Sequence, residues 1–309
     1  MKKIFIDGKA GTTGLRIESR LSERDDIEII SLPEEKRKDS EARRKMLNLA
    51  DVVFLCLPDD AAREAVSMIE NDNTVVIDAS TAHRTNPDWA YGFPELGAEF
   101  EKKILESKRI AVPGCHAGGF IALVYPLIKA GIIADDILLS AHSLTGYSGG
   151  GKKMIADYES EDMDFMLSAP RQYGISQMHK HLPEMVKITG LKNTPVFCPI
   201  VSNFYSGMEV TVPLFRENLL YGNIDTVRNI YRELYNTPLV KYNEGCDEGG
   251  FLSSHKLSGK DNMSIEVYGN SDRILLVARY DNLGKGASGA AIECLNVKLG
   301  CEKTKNLVL

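Results

Sequence analysis

The sequence predicts an α/β protein: an amino-terminal doubly wound parallel sheet, followed by a second α+β domain. Three observations carry this. Residues 1–114 alternate short apolar runs with amphipathic stretches, the grammar of strand–helix–strand units. A glycine triplet, GKAGTTG at 8–14, falls where the first apolar run gives way to the first amphipathic stretch. Beyond residue 115 the alternation stops, and strands with one apolar and one polar face take over.

Residues 3–7 read as a short strand and 13–22 as a helix. A second strand is expected at 27–32 and a charged amphipathic helix at 40–49. The run DVVFLCL at 51–57 is apolar almost throughout and stops at Pro58, as suits a strand buried on both faces of a parallel sheet. A helix at 60–70 and strands at 74–78 and 109–112 continue the pattern, joined by right-handed crossovers. In the second half, 117–130 reads as a helix and 137–144 as a strand. Met208, Val210, Val212 and Leu214 alternate with more polar neighbours, giving a half-buried strand. Residues 223–235 are helical by apolar spacing, and 263–268 with 274–280 form a hairpin around GNSD at 269–272. The segment 286–299 is a helix rich in small residues, suited to packing back onto the first domain.

With 309 residues the chain can build two modest domains, and 43% hydrophobic with 26% charged residues is ordinary for a globular protein. A net charge of -6 argues against non-specific binding to nucleic acid or anionic membrane. The start, MKKIFID, reaches Asp7 too soon for a signal peptide, and no apolar run approaches a membrane span. Six cysteines, at 56, 115, 198, 246, 294 and 301, show no CxxC pairing, the pattern of free thiols in a reducing cytoplasm.

The glycine loop is GxxGxxG between a strand and a helix, a variant of the dinucleotide-binding fingerprint of Rossmann-like sheets. Gly8, Gly11 and Gly14, with Thr12 and Thr13, would let the backbone approach a pyrophosphate. The acidic residue usual at the end of strand two is missing. In its place stands SLPEEKRK, and the basic triplet Lys36, Arg37 and Lys38 suits a 2′-phosphate, so NADP(H) is expected over NAD. Residues 1–114 are thus expected to be the cofactor domain, completed by 284–309.

PGCHAGGF at 113–120 places Cys115 at a strand-to-helix junction. Helix-start amides favour the thiolate, and flanking glycines leave the sulfur open to a substrate. A buried cysteine packing as a small hydrophobe is the bland alternative. HKHLPE at 179–184 offers two histidines, one to serve Cys115 and the other to hold substrate. His83, His142 and His255 read as structural or surface residues, and His116 is expected to point elsewhere on the helix. His-x-His with a cysteine could hold zinc, but a further ligand at standard spacing is missing, so no metal is expected. GYSGGGK at 146–152 is a donor-rich loop in which Ser148 and Gly149 could cradle a phosphoryl or carboxylate group. DASTAHR at 78–84 ends a sheet strand and offers Ser80 and Arg84 for anion contact.

Taken together, IDGKAGTTGL, LPEEKRKD, FLCLPDDAAREA, VIDASTAHR, YGFPEL, VPGCHAGGF, TGYSGGGK, HKHLPE and DNLGKGASGAA resemble the shorter class of N-acetyl-gamma-glutamyl-phosphate reductases. These segments span residues 6–291, and PGCHAGGF with HKHLPE and YGFPEL are the specific ones. The family is related to the aspartate-semialdehyde dehydrogenases and shares their two-domain plan. The resemblance implies an arginine-biosynthesis enzyme that reduces an acyl phosphate with NADPH. Cys115 would be the nucleophile that forms a thioester, and His179 or His181 the catalytic histidine. It also implies that Asn282 lies near the nicotinamide, that residues 115–283 form the catalytic and dimerisation domain, and that the protein self-associates. An aspartate-semialdehyde dehydrogenase, or a redox sensor that binds NADP without turnover, are the competing readings.

Overall fold

Apolar runs too continuous for one-sided burial become the strands of an all-parallel sheet, because such a sheet is covered on both faces. The computed structural model describes residues 1–309, and its first unit comprises Met1–Pro94, Ala98–Gly114 and Ala287–Leu307. The elements up to residue 111 are β1 (Lys2–Asp7), α1 (Thr12–Leu21), β2 (Ile27–Ile30), α2 (Ser40–Leu49), β3 (Val52–Leu55), α3 (Asp59–Ser67), β4 (Val75–Asp78), β5 (Ala90–Tyr91), α4 (Ala98–Glu106) and β6 (Arg109–Ala111). The strands lie in the order β2-β1-β3-β4-β6-β5, every pair parallel. After β2 the chain crosses back over β1, so the topological switch point falls between β1 and β3, where such sheets bind ligands. Ile4, Ile6, Phe54 and Ile77 fill one face. Phe5, Val53, Leu55 and Val76 fill the other, against Leu47 of α2 and Ala62 and Ala65 of α3. The pleat sends alternate residues to opposite faces, which is why these strands carry no polar alternation.

The second unit comprises Glu95–Gly97, Cys115–Gly286 and Val308–Leu309. Its elements are α5 (Cys115–Lys129), β7 (Ser140–Gly146), α6 (Gly151–Tyr158), β8 (Arg171–Gln172), α7 (Leu182–Thr189), β9 (Val196–Ser202), β10 (Met208–Phe215), α8 (Ile224–Leu234), β11 (Val240–Tyr242), β12 (Met263–Gly269) and β13 (Arg273–Tyr280). They make a mixed sheet in the order β11-β12-β13-β10-β7-β9-β8, with β11–β12 and β7–β9 parallel and the other pairs antiparallel. β10 alternates buried with half-buried or exposed residues, and β12 with β13 forms the expected hairpin. Helix α5 is apolar on every side, with Phe120, Ile121, Ala122, Leu123 and Val124 fully buried. A π-helical turn, Gly284–Ser288, then leads into α9 (Gly289–Leu299), which packs in the first unit. No helix is long and apolar enough to cross a membrane.

On the second sheet, Arg279 is fully buried and forked onto Glu266, with Nε and Nη2 each 2.9 Å from a carboxylate oxygen. Glu248 takes the remaining Nη1 at 2.9 Å. Arg279→Leu strands Glu266 without its counter-charge, and the expected cost is about 3–5 kcal/mol in urea unfolding. A change below ~1 kcal/mol, the range of an exposed pair, would show that the pair is not buried as described.

Candidate active site

Cys115 is the first residue of α5, so its sulfur stands at the positive end of a helix of 15 residues. The Tyr280 hydroxyl donates to the Cys115 carbonyl, and the Gly119 N–H donates back to that hydroxyl at 3.1 Å. A Cβ at Gly119 would come within 2.5 Å of the Tyr280 oxygen, so only glycine admits this tie across the first turn. Gly286 lies against the same cysteine, where its Cβ would sit 3.1 Å from the Cys115 Cβ.

Cys115 Sγ and one ring nitrogen from each of His116 and His181 lie within 4.8 Å of one another. His181 caps α7 and is buried. His179 is half-buried and stands behind it, with Nδ1 accepting from the His181 backbone N–H at 3.3 Å. Burial, and then the charge of Lys180, hold His179 below the ordinary imidazole range. The geometry thus separates two histidines that the HKHLPE spacing left equivalent: His181 reaches the sulfur cluster, and His179 orients the backbone that carries it.

His116 corrects an expectation. It does not point away from Cys115 but into the cluster, its Nδ1 2.7 Å from Ser143 Oγ and its Nε2 2.6 Å from Tyr173 Oη. A first-turn side chain leans back toward the helix start. Every residue from 116 to 124 is buried, so no solvent face exists for this histidine to seek. The signal was present in the all-apolar stretch that follows it. Gln177 was missed outright. It adopts φ +57°, its amide donates to the Phe197 carbonyl at 2.7 Å, and its Oε1 accepts from the Phe197 N–H at 2.9 Å. That double bond clamps the segment bearing Tyr173, His179 and His181 to β9.

Ser148 and Asn282, expected at different ligands, come together. The Asn282 Nδ2 donates to Ser148 Oγ at 3.0 Å, while its Oδ1 accepts from the Gly207 N–H at 3.0 Å. Gly149 is exposed beside them. In the first unit, Ser80 turns inward and donates to Asp78 Oδ2 at 2.7 Å, and His83 Nδ1 lies 2.7 Å from the same oxygen, its ring stacked on Trp89 at 4.0 Å. Arg84 is buried and donates to the Ala79 and Val112 carbonyls, both at 2.9 Å. These groups therefore brace the ends of β4 and β6.

The glycine loop follows β1 with Gly8 at φ +85°, where a Cβ would lie 2.3 Å from the Cys56 carbonyl oxygen. A Cβ at Gly14 would lie 2.6 Å from Lys9 Cα. Gly11 opens α1, whose first turn has no acidic residue, so its free amides are available to an anion. A cavity of about 400 Å³ is lined by Gly8, Gly11, Ser31, Leu32, Arg37 and Lys38 among others. Thr12, Thr13 and Gly14, at the start of α1, lie outside that lining, and so does Lys36. Bare glycine backbone together with the basic side chains of Arg37 and Lys38 in the lining fits a dinucleotide phosphate. Beneath the loop, Asp7 pairs with Arg43 at 2.9 Å, and burial of that pair is what raises the Asp7 carboxyl. Burial likewise pushes the nearby Cys56 thiol up to about 12, so it stays protonated at neutral pH.

Residues 3–104 match the semialdehyde dehydrogenase NAD binding domain, and residues 115–282 match the semialdehyde dehydrogenase dimerisation domain. N-acetyl-gamma-glutamyl-phosphate reductases of Brucella ovis and Brucella melitensis are each 44% identical over 306 residues, covering 96% of this chain and 99% of theirs. The chain belongs to the N-acetyl-gamma-glutamyl-phosphate reductase family. Its fold is that of the semialdehyde dehydrogenases as a whole. A probable aspartate-semialdehyde dehydrogenase from Pseudomonas aeruginosa aligns with TM-score 0.74 at 15% identity, covering 96% of this chain and 98% of that one. The enzyme from Candida albicans, solved with NADP, aligns with TM-score 0.70 at 17% identity over 96% of this chain and 98% of its own. Identity this low carries the fold alone. The reductase family is set by the bacterial relatives.

Proposed function

We propose that this protein reduces N-acetyl-gamma-glutamyl phosphate to N-acetylglutamate 5-semialdehyde and inorganic phosphate with NADPH, a step of arginine biosynthesis. The observation that carries the reading is Cys115 at a helix start with a ring nitrogen of His181 beside its sulfur. His181 takes the thiol proton, and the helix amides favour the thiolate. The thiolate attacks the acyl carbon, an S–C bond forms, and the carbon–oxygen bond to phosphate breaks with its electron pair on the leaving phosphate. When bound, NADPH supplies the hydride that turns the resulting thioester into the aldehyde. Cys115 departs as the thiolate, ready for another cycle. His179 supports this by fixing the backbone of His181, and Ser148, Gly149 and Asn282 supply donors for the substrate side of the second unit. The first unit binds the cofactor and the second performs catalysis and self-association, the latter supported by the dimerisation-domain match. Free cysteines throughout suit a cytoplasmic enzyme.

The test runs the reaction in reverse. N-acetylglutamate semialdehyde, phosphate and NADP should yield NADPH absorbance, and aspartate semialdehyde should not. Signal with aspartate semialdehyde alone would move the protein to the sister activity.

Cofactor choice follows from Arg37 and Lys38 on the cavity wall. Arg37→Ala with Lys38→Ala should weaken NADPH at least about tenfold, as expected from lost charge-assisted contacts, and leave NADH nearly unchanged. Lys36→Ala should do little. Fluorescence titration of both nucleotides checks this, and equal weakening of both would remove the 2′-phosphate contact.

A further inference from the structure

Two imidazoles, those of His116 and His181, reach Cys115, and one of them is held in a way that bars it from acting as a base. His116 has both ring nitrogens engaged, Nδ1 with Ser143 and Nε2 with Tyr173. Its ring also meets those of His179 and His181 at 5.7 and 5.5 Å between centroids.

The protons of this chain can be arranged in two ways. In one, the Tyr173 hydroxyl donates to Nε2 and Nδ1–H donates to Ser143. The Ser143 hydrogen is then left over. Ser143 is fully buried and its hydroxyl makes no hydrogen bond besides that to His116, so this hydrogen would face no acceptor. In the other, Ser143 donates to Nδ1 and Nε2–H donates to the Tyr173 oxygen. Every buried proton is then satisfied, and the only free hydrogen is that of Tyr173. Tyr173 is half-buried rather than sealed, and it feels the charge on Cys115. Its oxygen is held at the His116 ring, which belongs to the Cys115–His181 cluster, so its hydrogen is left for a ligand of that cluster.

We propose that His116 is a positioning residue, locked by Ser143 as the neutral Nε2–H tautomer, which turns the Tyr173 hydroxyl hydrogen onto the acyl phosphate as a hydrogen-bond donor. This deepens the reductase reading and rests on it for the identity of the substrate. The acceptor is the carbonyl oxygen, which gains negative charge as Cys115 attacks, so the bond strengthens in the transition state. Burial, followed by the neighbouring charges of His179 and Lys180, pushes His116 down to about 3, which keeps it uncharged at working pH. Burial and the Cys115 charge push the Tyr173 phenol up, so its proton stays in place. Lys180, His179, His181, Cys115 and Tyr173 are the titratable groups around the ring, and Ser143 and Phe197 close its other sides.

Two readouts test this. The first needs no activity: in protein labelled with 15N-histidine, one ring assigned through loss of its signal in His116→Gln should show the neutral Nε2–H pattern unchanged from about pH 5 to about pH 9. A neutral Nδ1–H pattern, or titration in that range, overturns the proposal. The second uses the reverse assay. Tyr173→Phe should lower kcat by roughly 10²-fold, the loss of one oxyanion donor, with the KM for NADP unchanged. Ser143→Ala should lower kcat by about tenfold for one lost hydrogen bond, and Ser143→Thr should restore it. The double variant Ser143→Ala with Tyr173→Phe should be no slower than Tyr173→Phe alone, because Ser143 acts only through the tyrosine. Additive losses overturn the relay. A wild-type protein inactive on the acetylated substrate but with the expected 15N pattern would sink the reductase reading and leave the tautomer assignment standing.

Discussion

Cys115→Ser should lose turnover by roughly 10³-fold or more while still binding NADPH, the behaviour of a removed nucleophile rather than of a damaged fold. The substitution changes one atom at the start of α5 and leaves the ties from Tyr280 and Gly119 intact, since both involve backbone groups of that helix. What it removes is acidity. A thiol beside a helix N-terminus ionises near neutral pH, and a hydroxyl in the same place does not. His181→Asn should slow the reaction by about 10²–10⁴-fold, the range of a lost general base. Its effect should shrink as pH rises, because hydroxide then ionises the thiol without help. His179→Asn should cost less, since that ring orients backbone and does not reach the sulfur cluster. Rates from the reverse assay over a pH series check all three. Normal turnover in Cys115→Ser would end the covalent mechanism.

The second large effect is on stability in acid. His116 titrates at about 3 in the folded protein and at its ordinary 6.5 once unfolded. Below pH 6.5 the unfolded chain takes up a proton that the folded one refuses, so each further pH unit costs about 1.4 kcal/mol, down to about pH 3. Above pH 6.5 the term is fully present and constant. His179 is shifted in the same direction and adds to the loss. Between about pH 7 and about pH 4.5, wild type should lose about 3 kcal/mol more than His116→Gln, read as the difference between urea unfolding curves at the two pH values. Comparing the variant with wild type at both pH values cancels the carboxylates common to the two proteins. Equal losses would mean that His116 titrates in the folded state like an exposed imidazole.

The first sheet was legible because its strands are apolar on both faces and its glycine loop sits between β1 and α1. The helices and strands expected there lie within a few residues of the observed ones, while α4 was not anticipated. The two-residue strand β5 was too short to carry a period. In the second sheet, β10 and the β12–β13 hairpin were readable from alternation and turn chemistry, but β9 was not. Pro199 interrupts it, and a proline inside an apolar run argues against a strand. It is tolerated because β8 pairs with β9 only at Ile200 and Val201. Cys115 was legible from its flanking glycines. The distinction between His179 and His181 was not, because it depends on how the segment folds before α7, and that is set by Gln177 bonding to a residue twenty positions away. The inward turn of His116 does not follow from its adjacency to Cys115 but from the burial of every residue from 116 to 124 around it.

Helix α9 has a consequence for how the chain is made. Ala290, Ala291, Ile292, Cys294, Leu295 and Val297 belong to the same apolar cluster as Ile4, Val52 and Ile77. The sheet that leaves the ribosome earliest therefore waits for residues near 290 before one of its faces is covered. Residues 115–286 are contiguous, residues 95–97 precede them, and only the two residues 308–309 arrive later. The second unit should thus mature ahead of the first during synthesis, with the half-covered sheet as the species most exposed to aggregation and to chaperones.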